Sequence, residues 1–443
     1  MPELEKKKLA NNILECLWPQ GEGSPKPFAV SSTMFMRHGI WISLTKDEEA
    51  EFHSALDKLL GDNFLRQSYS KAALRASMED LLVSLVRANP GRPSEDTVND
   101  EVKTWYRKLK EAKSKTVTYF ALIDKLKMVD DLQVGSALLE PFTETAVGKL
   151  RSHMFGQIDQ VKHLNFEQKE ETKRSLDHEY YSKLRPDECT CLISISIDAR
   201  EVGRGLELAL VRFREVVALL RFLSVIFPGA NAVDLCHLRG EASPGEKWYF
   251  AHLESEASRI FNQDFARHTP LGNAQREKFD RVGFSSFSAI LAKAADERSD
   301  VETRLIRAIL WIGDAVGEES EDTRFLKFCI AVESLLCGRG DEPLASVLGE
   351  RLAFILGSDF NSRRDIFKSS KSCYNIRSAI VHEGAAKQRR KIENLLPQMT
   401  AYALQAVVAV NHLRLEQNWQ RLDELIAHVE RLKFDSPGSQ PSV

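Results

Sequence analysis

No stretch of this sequence stays apolar for the roughly 20 residues that a bilayer-spanning helix requires. The nearest approach, Val202–Phe227, carries Arg204, Arg212, Arg214, Glu215 and Arg221, and reads as a buried core helix with no membrane role. Cysteine is scarce: there are seven, an odd number, and only Cys189 and Cys191 lie close together. That usage argues against a disulfide scaffold and fits a reducing compartment. Cys189, Cys191, Cys236 and His237 are soft-metal ligand types, yet their spacing is not that of a zinc finger, so small core side chains are the reading and no metal or cofactor is expected. Net charge is nearly absent as well, at −3, which excludes a global electrostatic pull toward nucleic acid and leaves only local binding. The P-loop, the dinucleotide glycine fingerprint, H-E-x-x-H and G-x-S-x-G are all missing. Charged Met1–Ala10 and the short, polar Asn11–Trp18 lack the apolar region of a secretory signal, so a cytoplasmic location is expected.

What is present is a chain of 443 residues, 43% apolar and 28% charged, long enough for two or three domains. No internal repeat is visible. Residues 1–115 read as a mostly helical region, with amphipathic Lys46–Leu60 and Ala72–Val86 set between the turn-rich Gly21–Pro27 and Asn89–Ser94. Residues 116–300 read as mixed α/β. Thr116–Ile123 and Gln133–Leu139 are β-leaning runs that can pair as neighbours, and Gln157–Lys183 is charge-laced like an exposed helix. Cys189–Ile197 alternates Cys191, Ile193, Ile195 and Ile197 with Thr190, Leu192, Ser194 and Ser196, the clearest strand of the chain. A strand near Lys247–Leu253 and polar helical segments up to Asp300 complete this part.

From Val301 to residue 434 the pattern becomes helix after helix, and Asp435–Val443 reads as a disordered tail. Leu305, Ile306, Ile309, Leu310 and Ile312 form one stripe; Phe325, Phe328, Cys329, Val332, Leu335 and Leu336 form a second. A third helix is expected over Leu344–Leu356. Leu395, Met399, Tyr402, Ala406, Val410 and Leu413 mark a last seam suited to helix packing or a dimer interface. The expected class is therefore α+β, an N-terminal mixed α/β region followed by an all-α bundle of four or five helices.

One segment of the bundle carries candidate chemistry: Tyr374-Asn375-Ile376-Arg377-Ser378-Ala379-Ile380-Val381-His382-Glu383-Gly384. Cleavage of RNA by its own 2′-hydroxyl requires a cation to hold the phosphate and a group that moves protons near neutral pH, which are the aptitudes of Arg and His. The spacing alone says little, since among eleven histidines only His382 has an arginine five positions before it, and chance yields on the order of one such pair. Five residues along a helix turn through about 140°, so Arg377 and His382 do not share a face. Either Arg377 stands at a loop-to-helix junction, or the site combines two protomers. Without chemistry, Arg377 makes an ordinary carboxylate pair and His382 ends a helix. Arg363, Arg364, Lys368, Lys371, Lys387, Arg389, Arg390 and Lys391 surround the motif with a local positive excess able to track phosphates, Lys387 and Arg389–Lys391 being the RNA-binding candidates, or simply a solvated helix start. Phe367 and Tyr374 are the only nearby aromatics noted for stacking.

Taken with the helical stripes from Thr303 to Leu415, this motif resembles the HEPN superfamily, in particular ApeA-like HEPN domains of bacterial defence proteins. The departure is Glu383, which stands between His382 and Gly384 where the family often has glycine at once. The resemblance implies a metal-independent endoribonuclease cutting cellular or viral RNA, working as a homodimer in antiviral defence or as a toxin, with a possible antitoxin or trigger partner. It also implies that Arg377 and His382 are catalytic and that Glu333, Ser378 and Tyr374 support them. Glu333 would orient Arg377 through a bidentate salt bridge or lie on the surface; Ser378 would contact phosphate or cap a helix; Tyr374 would mainly pack. The alternative is a HEPN module without cleavage, serving RNA binding, dimerisation or docking.

Overall fold

The computed structural model describes residues 10–11, 13, 33–37, 40–44, 46–89, 93–159, 161–162, 164–179, 190–226, 236–240, 246–253, 256–264, 271–338, 344–383 and 389–434. Gly21–Pro27, Cys189, Gly384, Lys387 and Asp435–Val443 lie outside that set. The fold is α+β, with a small sheet and a mostly helical C-terminal part. Contacts divide the chain into two units, Met1–Tyr119 with Ser196–Leu210, and Phe120–Ile195 with Val211–Val443.

Among the described residues the first unit contains a hairpin, β1 (Thr33–Arg37) and β2 (Ile40–Leu44), followed by the helices α1 (Lys46–Gly61), α2 (Asn63–Ser68), α3 (Lys71–Ala88) and α4 (Glu95–Glu111). Each of the last three begins where a side chain accepts an orphan amide: Asp62 from Leu65 N at 3.1 Å, Ser70 from Ala73 N at 3.1 Å and Ser94 from Thr97 N at 3.2 Å. Phe52, Leu56, Leu59, Leu65, Leu74, Met78, Leu82, Val98 and Val102 close one core. The apolar rows read in Lys46–Leu60 and Ala72–Val86 are thus the buried faces of α1 and α3.

The sheet has the order β4-β5-β6-β3-β7, with β3 at Lys115–Asp124, β4 at Leu132–Val134, β5 at Ala137–Pro141, β6 at Thr190–Ala199 and β7 at His237–Leu238. The expected pairing of Thr116–Ile123 with Gln133–Leu139 does not occur. Instead Gly135, at φ +61°, turns the second run back on itself, so that Leu132 faces Leu139 and β5 then pairs with β6. A side chain at 135 would also meet the Leu291 backbone at 2.8 Å. On β6, Cys191, Ile193 and Ile195 are buried as their alternation predicts, but Thr190 and Leu192 on the opposite face are buried too. Leu192 packs with Phe142 and Ala146, placing the start of α5 (Glu144–Asp159) over the face expected to be polar. Gln157–Lys183 is not one helix: α5 ends at Asp159 and α6 begins at Phe166, running to Glu179.

α7 (Val202–Ile226) follows β6 as the long helix expected, amphipathic rather than wholly buried, with Leu206 and Val211 exposed and Phe213, Leu219 and Phe222 enclosed. No helix among the described residues is long and apolar enough to cross a membrane. Glu256–Asp264, read as helical, is a strand: β9 pairs antiparallel with β8 (Glu246–Leu253). Two short helices, α8 (Asn273–Asp280) and α9 (Phe284–Ala292), lead to the bundle.

Among the described residues the bundle has six helices, not four or five: α10 (Asp300–Val316), α11 (Glu321–Leu336), α12 (Leu344–Leu356), α13 (Phe360–Glu383), α14 (Arg389–Gln417) and α15 (Leu422–Phe434). α10 starts at a capping box in which Ser299 Oγ accepts Glu302 N at 3.2 Å and Glu302 Oε2 accepts Ser299 N at 3.0 Å. Its stripe packs on α11 and α14, and α12 packs on α13. Buried charge ties this bundle to the segments before it. Glu302 accepts Lys293 Nζ at 2.8 Å and Arg414 Nη1 at 3.0 Å, while Arg298 grips Glu215 of α7 at 2.7 and 2.8 Å. Of these pairs, Lys293 with Glu302 spans residue 300 and joins α10 to the segment just before it.

Candidate functional site

Arg377, Ser378 and His382 all stand on α13, a continuous helix from Phe360 to Glu383. The loop-to-helix junction for Arg377 is therefore excluded: it sits within the helix, and His382 sits in the last turn. Tyr374, Ile376 and Ile380 are buried, Arg377 is half-buried, and Ser378, Val381 and His382 face solvent. Regular helix geometry accordingly sends Arg377 toward the bundle and His382 outward.

Arg377 meets Glu333 of α11. Its Nη2 lies 3.3 Å from Glu333 Oε1 and 3.5 Å from Oε2, so one nitrogen faces both oxygens. This is not the bidentate fork expected, which needs two guanidinium nitrogens in parallel. The remaining Arg377 Nε is buried without a hydrogen-bond partner. Tyr374 supplies the floor: its ring centroid is 5.5 Å from Arg377 Cζ, a cation–π distance, and its hydroxyl is buried without a partner. Glu333 belongs to the packed interior edge, with only 17% of its side chain exposed, and is not a surface glutamate. Burial pushes its carboxyl above the ordinary range, against the opposing pull of Arg377.

Two buried thiols adjoin this pair: Cys329, part of the second apolar stripe read from sequence, and Cys373, which that reading did not single out. Cys329 lies one turn before Glu333, and Cys373 one turn before Arg377; burial pushes both thiols up, Cys373 to about 11. The signal was available, since each cysteine is four residues from a charged partner on its helix. Their enclosure makes them packing groups that lower the local polarity around the ion pair.

Ser378 is exposed in the helix interior and caps nothing, which removes the capping alternative. His382 occupies a last turn, where an imidazolium interacts favourably with the helix dipole. Arg389 opens α14, and Arg390 and Lys391 are exposed in its first turn. Among the described residues no hydrogen bond or ion pair joins Arg390 or Lys391 to Arg377. Among the described residues no three His, Cys, Asp or Glu side chains gather as a metal site. No protein-family model matches the chain, and no curated protein or solved structure is similar enough to match it.

Proposed function

We propose that this protein is a metal-independent endoribonuclease of HEPN type, acting in the cytoplasm against phage or as a toxin, with Arg377 and His382 as its catalytic groups. The observation that carries the reading is the Arg377 arrangement: a half-buried guanidinium braced by Glu333 and Tyr374, on the same helix that exposes Ser378 and His382. A braced cation of this kind presents its charge without reorganising when substrate arrives.

In the reaction, the 2′-oxygen attacks the adjacent phosphorus. The O2′–P bond forms as the P–O5′ bond breaks, the 2′-hydroxyl proton passes to a base, and the departing 5′-oxygen takes a proton. The products are a 2′,3′-cyclic phosphate and a 5′-hydroxyl. Arg377 holds the charge developing on the non-bridging oxygens, Ser378 donates to phosphate, and His382 carries one of the two protons. Because one α13 sends Arg377 and His382 to different faces, the working site pairs Arg377 of one subunit with His382 of the partner subunit in a two-fold dimer. An antitoxin or trigger partner would control access to that surface.

The engagement of Arg377 by Glu333 also favours a second reading, a non-catalytic module for RNA binding, dimerisation or docking, since part of the cation's charge is already met. Incubating the purified full chain with end-labelled RNA in excess chelator separates the two. Cuts ending in cyclic phosphate are expected, with Arg377→Ala and His382→Ala each lowering the rate at least about 100-fold. Binding without cuts, or cutting that survives both substitutions in folded protein, rejects the nuclease.

A further inference from the structure

A half-open cleft of about 820 Å³ lies at the opposite end of α13 from His382, within the same bundle. That is the size of a small-ligand pocket. Its walls combine aromatic rings with cations: Phe354 from α12, Phe360, Arg363, Arg364 and Phe367 from α13, and Lys433 from α15. The Arg363 guanidinium lies 4.7 Å from the centre of the Phe354 ring, and its Nε donates to Gly357 O at 3.1 Å. Arg364 is 6.0 Å from the Phe360 ring, whose side chain is 76% exposed at the cleft. The two carboxylates that line it are already engaged: Glu350 accepts Lys433 at 2.9 and 3.0 Å, and Asp359 accepts the first amides of α13 at 2.8 and 3.0 Å. Among the described residues Asp365 beside Arg364, at 3.3 Å, is the one further acid paired with these cations, and both side chains are solvated.

A second feature of the same helix leads out of this cleft. Arg364, Lys368, Lys371, Asn375, Ser378 and His382 are all exposed, and their spacing of four, three, four, three and four puts them on one face. The row contains no acid and spans about 27 Å at 1.5 Å per residue. It starts with cations, continues with an amide and a hydroxyl, and ends at the imidazole. A lipid surface or an acidic peptide has no use for ring faces beside guanidinium planes, whereas an unpaired base stacks on both.

We propose that the cleft at Phe354, Phe360, Arg363 and Phe367 is a base-binding subsite for single-stranded RNA, and that the exposed row of α13 carries the phosphate backbone from it toward His382. This rests on the reading of the bundle as RNA-directed. It adds the form of the substrate: bases must be free of a duplex to enter the cleft.

Fluorescence anisotropy on the full chain, in a His382→Ala background with chelator so that nothing is cut, tests it with a labelled single strand and the same strand annealed to its complement. The single strand is expected to bind more tightly. Phe360→Ala, a truncation at an exposed side chain, is expected to weaken it about tenfold or more. Lys368→Ala with Lys371→Ala is expected to reduce the salt slope by about 1.4, at 0.7 per lost phosphate contact. Equal or tighter duplex binding, or an unchanged affinity for Phe360→Ala, overturns the proposal. Cutting by the wild type with affinity indifferent to Phe360 sinks the cleft and spares the nuclease. Cleft-dependent binding with no cutting by the wild type upholds the cleft and sinks the nuclease.

Discussion

At the scale of single residues, the Glu333 carboxylate sets what happens when Arg377 is changed. Burial holds its pKa above the ordinary value of 4.5, so its ionisation disfavours the folded state. The penalty is absent below the carboxylate range, appears as pH rises through it, and is complete above the raised native pKa. Arg377 is the group that offsets it. Arg377→Ala should therefore cost about 1–3 kcal/mol of stability at pH 7 and distinctly less near pH 4, where the carboxyl of both states is mostly protonated. Adding Glu333→Gln should recover most of the loss, because no carboxylate remains to be desolvated. Denaturant unfolding at the two pH values checks this; an equal loss at both would mean that the ion pair does not control the site's stability. The double variant also supplies a folded protein without the cation, which the cleavage assay needs.

At the scale of elements, α10 and α7 approach so closely that a Cβ at Gly313 would stand 2.8 Å from Ala218 Cα, a backbone atom that cannot turn aside. Gly313→Ala is expected to destabilise by about 1–3 kcal/mol despite alanine's better helix propensity. In α5, Gly148 faces open space, and Gly148→Ala should stabilise by about 0.5–1 kcal/mol. A thermal shift of the same sign in both would refute the contact at Gly313. Such contacts explain what could be read in advance. Helices with one strong apolar stripe, such as Leu305 to Ile312 or Leu344–Leu356, were legible because each buries that stripe alone. Glu256–Asp264 was not, since its polar residues hide a strand whose partner, β8, specifies it. Gln133–Leu139 hid a turn at one glycine, and α15 was overlooked for want of a motif. At the site, the 140° separation of Arg377 and His382 was plain from helix arithmetic, and the brace at Glu333 was one of two readings. The cleft at Phe360 depended on which helices meet, information that no single segment contains.

At the scale of the whole molecule, the divergent faces of Arg377 and His382 make a prediction about two copies of the chain. If each active site takes Arg377 from one subunit and His382 from the partner subunit, a dimer of one Arg377→Ala chain with one His382→Ala chain has one site lacking both groups and one site lacking neither. Either variant alone has both sites damaged and should be inactive. Mixed in equal amounts and allowed to exchange subunits, half of the dimers become mixed, each with one intact site of two, so RNA cleavage should return to about a quarter of the wild-type rate. Raising either variant above equal proportion should lower it again. Were Arg377 and His382 of the same chain to act together, no mixture would restore activity, because every chain would lack one of them. A flat zero across all mixing ratios, with subunit exchange shown by mass or by differently tagged chains, would rule out the composite site. The Arg377-to-Glu333 brace would then have to release before the two groups of one helix could reach a single phosphate.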